Sequence, residues 1–128
     1  MNLLLDTATF LWLFLEPENL SKKAAAAITD GGNLLFLSSI STAEIAIKYS
    51  LGKLELAKPP SEIVPEIRRL YAIGQLQLAD EDALRLELLV VLHRDPFDRL
   101  LVCQALERGL TIVTPDSLIT QYPVSCLW

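Results

Sequence analysis

The stretch HRDPFDRLL, residues 93–101, joins two apolar runs and carries two closely spaced acids. Pro96 suits the first position of a helix, where its missing N–H costs no hydrogen bond, so Asp95 is the predicted N-cap. Asp98 then falls in the first turn of the same helix. From this stretch alone helix capping is the favoured interpretation, because such acids are common at helix starts, and a cation site completed by acids from other segments is the alternative.

The composition predicts one folded domain over residues 1–128, with 52% apolar residues. The net charge of −5 argues against a protein that holds nucleic acid by a broad basic surface. It leaves room for a nuclease whose bound cations supply the local positive charge.

The sequence carries no sign of export or of a membrane anchor. The N-terminus lacks a basic region and Asp6 interrupts its apolar run, so we expect no signal peptide. No apolar stretch reaches the roughly 18 residues of a membrane span. Cys103 and Cys126 have no metal-binding spacing and predict reduced thiols in a cytoplasmic protein. A single histidine excludes histidine-rich zinc sites.

Apolar runs alternate with helical patterns along the chain. Strands are predicted at 2–5, 34–37, 75–79, 110–114 and 124–127. Helices are predicted at 7–15, 21–29, 42–51, 61–73, 80–92, 96–108 and 117–121. This alternation predicts an α/β fold, a three-layer sandwich with a central parallel sheet flanked by helices. Helix 7–15 is apolar nearly all round, which predicts a surface shared with a partner or a second copy.

Four acids are expected at one edge of this sheet, outside the carboxyl ends of its strands. Asp6 follows the first strand and Asp116 follows the fourth, while Glu44 and Asp98 begin helices at the same edge. Each acid has a purely structural alternative. Asp6 and Asp116 can cap helices, and Glu44 can pair with Lys48 one turn later.

A capping box is a further structural alternative for Glu44, with its side chain reaching back to the N–H of Ser41. Taken together, however, these structural roles leave four carboxylates that repel one another, and such a group needs protons or cations. An all-oxygen site suits Mg²⁺ or Mn²⁺, which polarise phosphates and lower the pKa of a bound water.

Blocks of sequence along the whole chain resemble PIN-domain ribonucleases of the VapC-like toxin class, from bacterial toxin–antitoxin pairs. The matching blocks are LLLDT (3–7), LWL (11–13), SSIS (38–41), EIAIK (44–48), LGKL (51–54), HRDPFDRLL (93–101) and QA (104–105), with Thr114, Asp116, Tyr122, Leu127 and Trp128. Two positions depart from the pattern, because Ala8 stands where such proteins often have His and Ala43 where they often have an aromatic residue.

The resemblance implies a metal-dependent endoribonuclease toxin silenced by an antitoxin that also binds operator DNA, and a PIN-like fold that often dimerises. It implies catalytic and metal-coordinating roles for Asp6, Glu44, Asp98 and Asp116. Asp95 and Thr114 would be auxiliary, and the expected cofactor is Mg²⁺ or Mn²⁺. The expected partners are RNA, a cognate antitoxin, and a second copy in a homodimer or a toxin–antitoxin hetero-oligomer.

Two basic residues near the acids are candidates for binding substrate phosphates. Arg99 follows Asp98 and Lys48 lies one turn after Glu44. For Arg99 an ion pair with one of the neighbouring acids is the alternative, and for Lys48 a solvated helix face is. His93 lies in a loop before a helix, and we do not assign it a catalytic role.

Two other classes of function compete with the enzyme. One is a catalytically silent PIN-like binding or scaffold module, in which the acids only cap helices. The other is a phosphoacceptor receiver domain, which needs a lysine near its last active strand. Residues 110–116 contain no lysine, so the receiver domain is disfavoured.

Overall fold

The computed structural model describes residues 1–128, in which a sheet of five strands is surrounded by seven α-helices. The strands are β1 (Asn2–Leu5), β2 (Leu34–Ser38), β3 (Ile73–Leu76), β4 (Thr111–Val113) and β5 (Cys126–Leu127). The helices are α1 (Thr7–Leu15), α2 (Lys22–Thr29), α3 (Ser39–Ser50), α4 (Pro60–Tyr71), α5 (Asp80–Leu84), α6 (Pro96–Arg108) and α7 (Ser117–Thr120). Short 3₁₀ helices at Pro17–Asn19 and Arg85–Glu87 complete the elements.

The strands form one parallel sheet in the order β3-β2-β1-β4-β5. In the centre, Leu4 of β1 is aligned with Phe36 of β2 and Ile112 of β4. All five strands therefore present their carboxyl ends at one edge. The predicted α/β class with a central parallel sheet is confirmed.

Side chains of β1 alternate between two hydrophobic cores, one on each face of the sheet. Leu3 and Leu5 pack into a core shared with α1 to α4, whereas Leu4 packs into a core built mainly from α6 and β4. All three leucines are fully buried, as the period of two in a strand requires. Because each core packs helices against one face of the sheet, the fold is a three-layer sandwich.

The start of α3 corrects the predicted polar link at 38–41. Ser38 is the N-cap of this helix, and its Oγ accepts the N–H of Ile40. Ser41 therefore lies inside the helix, fully buried and with no hydrogen-bond partner for its hydroxyl. The capping-box alternative for Ser41 and Glu44 is therefore wrong, and the side chain of Glu44 makes other contacts.

Two further boundaries differ from the sequence prediction. Helix α4 ends at Tyr71 because Ala72 adopts a left-handed conformation at φ 52°, and β3 begins directly after it. Residues 80–92 form only the short α5 and the 3₁₀ helix, and Asp82 accepts the N–H of Ala79. None of the helices combines the length and the apolar character needed to cross a bilayer.

Helix α1 is packed mainly within the chain, and its predicted surface shared with a partner or a second copy stays a prediction. In α1, Phe10 and Leu13 are buried and Trp12 packs against Trp128, with ring centroids 6.0 Å apart. The larger exposed apolar stretch is Leu88–Leu92, in which Leu88 is 82% exposed and only Leu89 is buried. Most of α1 is therefore covered within the chain itself.

Candidate active site

A cavity of about 340 Å³ opens at the carboxyl edge of the sheet, between the first turns of several helices. It brings together acids from four distant segments of the chain. The acids that line it are Asp6, Glu44, Asp95, Asp98 and Asp116. Lys48 and Lys53 line the same cavity. The four acids expected at this edge thus share one cavity rather than separate surfaces.

Asp6 lies directly after β1 and is 5% exposed. Its Oδ1 accepts the backbone N–H of Thr9, which makes it the N-cap of α1, and its Oδ2 accepts the hydroxyl of Thr114 at 2.5 Å. Burial raises the pKa of Asp6 despite these hydrogen bonds, and the charge of Asp116 adds to the effect. The structural capping role and the position in the cavity therefore coexist.

Glu44 projects from the second turn of α3 and is 6% exposed. Its two oxygens have different partners: the hydroxyl of Thr7 donates to Oε1 at 2.5 Å, and Lys48 Nζ lies 2.7 Å from Oε2. The hydrogen bond to Glu44 raises the pKa of Lys48. Lys48 remains half-exposed, so it is held at the cavity without being enclosed.

Asp95 and Asp116 both combine capping with a place in the cavity. Asp95 accepts the backbone N–H groups of Phe97 and Asp98 at the start of α6, as its sequence position predicts. Asp116 caps α7, and its own N–H donates to the hydroxyl of Thr114. Because Thr114 also donates to Asp6, this buried threonine orients two acids at once.

Capping does not explain Asp98, because its side chain accepts no backbone N–H, and unlike Glu44 it has no lysine partner. Its only hydrogen-bond partner is His93, whose Nε2 lies 3.1 Å from Asp98 Oδ2. Burial raises the pKa of Asp98 to about 6, and the charges of Asp95 and Asp116 act in the same direction. The side chain is 15% exposed, so this carboxyl is both crowded and largely withdrawn from water.

Arg99 lies outside the cavity. Its guanidinium donates to the carbonyls of Val90 and Leu89 and to the hydroxyl of Tyr122. It does not line the cavity, and it forms no ion pair with Asp95 or Asp98. The ion-pair alternative is therefore wrong, whereas the phosphate contact of Arg99 stays a prediction. Arg99 instead anchors the loop before α6.

The acids fit a hard divalent cation by chemistry, since every ligand they offer is an oxygen. Three of these oxygens have no hydrogen-bond partner in the chain, namely Oδ2 of Asp95, Oδ1 of Asp98 and Oδ2 of Asp116. As the side chains stand, no three of the chain's His, Cys, Asp or Glu residues are close enough together to hold a metal ion. Binding would therefore require rotation of carboxylates toward the ion.

Sequence reasoning missed three contributors to this site. Thr7 and Tyr122 lie within the blocks quoted for the resemblance, but no local pattern links them to an acid. His93, which we left without a role, contacts Asp98 directly. Its sequence position five residues before Asp98 is the one signal that could have suggested this contact.

A family model for the PIN domain matches residues 3–124. The chain belongs to the PIN-domain family. The match covers all the cavity-lining acids. No sequence among the curated proteins matches this PIN domain.

Solved structures with the same fold come from toxin–antitoxin systems. VapBC2 from Rickettsia felis, bound to a DNA fragment from its promoter, matches with a TM-score of 0.68 at 18% identity, covering 98% of this chain and 97% of that chain. VapBC-1 from nontypeable Haemophilus influenzae matches with a TM-score of 0.68 at 19% identity, covering 98% and 96%. FitAcB from Neisseria gonorrhoeae matches with a TM-score of 0.58 at 20% identity, covering 97% and 95%. At these identities the likeness establishes the fold.

Proposed function

We propose that residues 1–128 form one nuclease domain, a metal-dependent endoribonuclease that is the toxin of a toxin–antitoxin pair. The proposed catalytic and metal-binding acids are Asp6, Glu44, Asp98 and Asp116. The observation that carries the proposal is the single cavity in which these acids meet Asp95. Membership of the PIN-domain family supports a nuclease, and the likeness to VapBC and FitAcB structures supports the toxin class.

Asp98 separates this enzyme from a scaffold whose acids only cap helices. A capping acid is stabilised by the N–H groups it accepts, and Asp98 has none. A buried carboxyl with raised pKa beside two other acids is typical of a functional site. A scaffold gains nothing from holding such a group at the mouth of a cavity.

When bound, Mg²⁺ or Mn²⁺ would polarise the substrate phosphate and lower the pKa of a bound water. The chain's own residues prepare the site for it. Thr7 orients Glu44, and Thr114 orients Asp6 through hydrogen bonds of 2.5 Å. Lys48 is the proposed contact for a substrate phosphate, because it is half-exposed beside Glu44. Asp95 is an auxiliary acid that adds negative charge at the cavity.

The proposal is tested by cleavage of single-stranded RNA with Mg²⁺ or Mn²⁺, with excess chelator, and with the variant Asp98→Asn. We expect cleavage that requires the metal and is lost in the variant. Asp80→Asn is the matched control, since Asp80 is exposed and makes no side-chain hydrogen bond or salt bridge. Cleavage that persists in chelator, or in Asp98→Asn, would exclude the proposed mechanism.

We further propose a cognate antitoxin as the partner and the cytoplasm as the compartment. The antitoxin is supported by the likeness to VapBC2 and VapBC-1, and the compartment by two free thiols, Cys103 and Cys126. The assembly is proposed to be a homodimer or a toxin–antitoxin hetero-oligomer. Light scattering of the chain, alone and co-expressed with a candidate antitoxin, measures the assembly. A monomer in both samples would contradict it.

A further inference from the structure

Four side chains form a hydrogen-bonded chain that runs from the cavity to the C-terminal segment. Arg99 Nη1 lies 3.1 Å from the Tyr122 hydroxyl, which lies 2.7 Å from His93 Nδ1. His93 Nε2 in turn lies 3.1 Å from Asp98 Oδ2. The distances alone do not say which imidazole nitrogen carries a proton. The direction of each hydrogen bond decides which nitrogen of His93 is protonated.

The Tyr122 hydroxyl meets two groups that can only donate. One is Arg99 Nη1, and the other is the backbone N–H of His93 at 3.3 Å. A phenol oxygen offers two lone pairs and one proton, so both lone pairs are taken. The hydroxyl must therefore donate to its third neighbour, His93 Nδ1. An imidazole nitrogen that accepts a hydrogen bond in this way carries no proton of its own.

We propose that Arg99 and Tyr122 fix His93 as the neutral Nε2–H tautomer, and that His93 is a positioning residue for Asp98. In this tautomer the Nε2–H donates to Asp98 Oδ2. The carboxylate is then held by one oxygen, and Oδ1 is left without a protein partner. The part concerning the metal rests on the proposed function, whereas the tautomer does not.

A neutral donor suits an acid that must bind a cation. An imidazolium would act as a counter-charge to Asp98 and would compete with a divalent ion for it. A neutral N–H fixes the carboxylate and leaves its charge available. The environment strengthens the arrangement, because the His93 side chain is 10% exposed and Tyr122 is 3% exposed.

The tautomer can be measured directly, because the chain has a single histidine. Nitrogen chemical shifts of the ¹⁵N-labelled imidazole, in metal-free protein near neutral pH, distinguish the two neutral tautomers and the imidazolium. We expect a protonated Nε2 and an unprotonated Nδ1. Tyr122→Phe should shift this towards a mixture or the opposite tautomer. Tyr71→Phe is the control, since its hydroxyl bonds only the distant carbonyl of Leu13.

The positioning role is measured by the affinity of the metal-free protein for Mn²⁺, using calorimetry. Loss of such a supporting hydrogen bond weakens metal binding by about 10- to 100-fold, which we expect for Tyr122→Phe and His93→Leu. His93→Gln retains an amide donor of similar reach and should recover much of the affinity. Melting temperatures identify any variant that fails to fold, and Tyr122→Phe keeps the buried ring in place.

Each outcome bears on a separate part of the inference. A wild-type imidazole protonated on Nδ1, or on both nitrogens, would overturn the tautomer. Unchanged Mn²⁺ affinity in folded His93→Leu would overturn the positioning role while leaving the proposed function intact. Wild-type protein that binds no Mn²⁺ would overturn the positioning role together with the proposed function, and the tautomer would stand alone.

Discussion

Replacement of Asp98 by asparagine should stabilise the metal-free protein at neutral pH. Burial raises the pKa of this carboxyl from 3.8 to about 6, and Asp95 and Asp116 contribute. When Asp98 is ionised, this difference in pKa lowers the free energy of unfolding by at most about 3 kcal/mol. Asparagine carries no charge, and its carbonyl oxygen can still accept from His93 Nε2. Because the side chain is 15% exposed and solvent relaxes around it, we expect a gain of about 1–2 kcal/mol.

The gain should depend on pH with a definite sign. The unfolded carboxyl loses its proton near pH 4 and the folded Asp98 near pH 6. The folded protein therefore binds more protons across this interval, and the wild type loses stability as pH rises through it. The wild type is therefore as stable as Asp98→Asn below about pH 4, and its deficit in stability relative to that variant is complete above about pH 7.

Thermal unfolding in chelator, at about pH 4 and about pH 8, measures the effect. For a domain of this size we expect Asp98→Asn to melt roughly 3–8 °C higher at the upper pH, and no higher at the lower pH. The control Asp80→Asn should show no gain at either. Saturating Mn²⁺ should reverse the order of the two melting temperatures, because ion binding at 100 times Kd adds about 2.7 kcal/mol to the stability of the wild type. A less stable Asp98→Asn in chelator would refute the crowded-carboxylate reasoning.

Three further predictions concern the supports of the cavity and the opposite end of the fold. Thr114→Val removes the hydroxyl that donates to Asp6, so urea denaturation should show a loss of about 1–3 kcal/mol and RNA cleavage should fall. Lys48→Met should raise the KM for RNA more than it lowers kcat, because its role is phosphate binding. Arg108→Met leaves the fully buried Asp82 without its ion pair, so the protein should lose about 2–4 kcal/mol, while cleavage per folded molecule stays unchanged.

The parts of the fold that local chemistry decides could be predicted from the sequence. Asp95 and Pro96 define the start of α6, and Gly109 ends it in the left-handed conformation that glycine favours. Runs such as 3–5 and 34–37 identify parallel strands because they are apolar throughout. The meeting of the acids followed from one topological rule, that parallel strands present their carboxyl ends at the same edge.

The start of α3 was mispredicted because a distant contact selects among equivalent residues. The segment 38–42 offers several hydroxyl groups in a row, and each is a plausible N-cap. Ser38 becomes the cap because β2 extends into a buried position, where its hydroxyl donates to Gln104 of α6. No local pattern contains a partner 66 residues away.

The segment that follows the shortened helix at 80–92 is held by contacts that no local pattern contains. Arg99 donates to the carbonyls of Leu89 and Val90, and the N–H of His93 donates to the hydroxyl of Tyr122. These contacts hold Arg99 outside the cavity and place His93 beside Asp98.

The capping roles of the acids explain how the fold tolerates their crowding. Asp6, Asp95 and Asp116 each accept backbone N–H groups at a helix start, where the helix dipole favours negative charge. Glu44 has Lys48 for the same purpose. Only Asp98 lacks both kinds of compensation, and burial with neighbouring acids raises its pKa to about 6. The same acids can therefore act both as helix caps and as metal ligands. Capping offsets most of the repulsion among the carboxylates, and the repulsion that is not offset acts mainly on Asp98, which a divalent cation would neutralise.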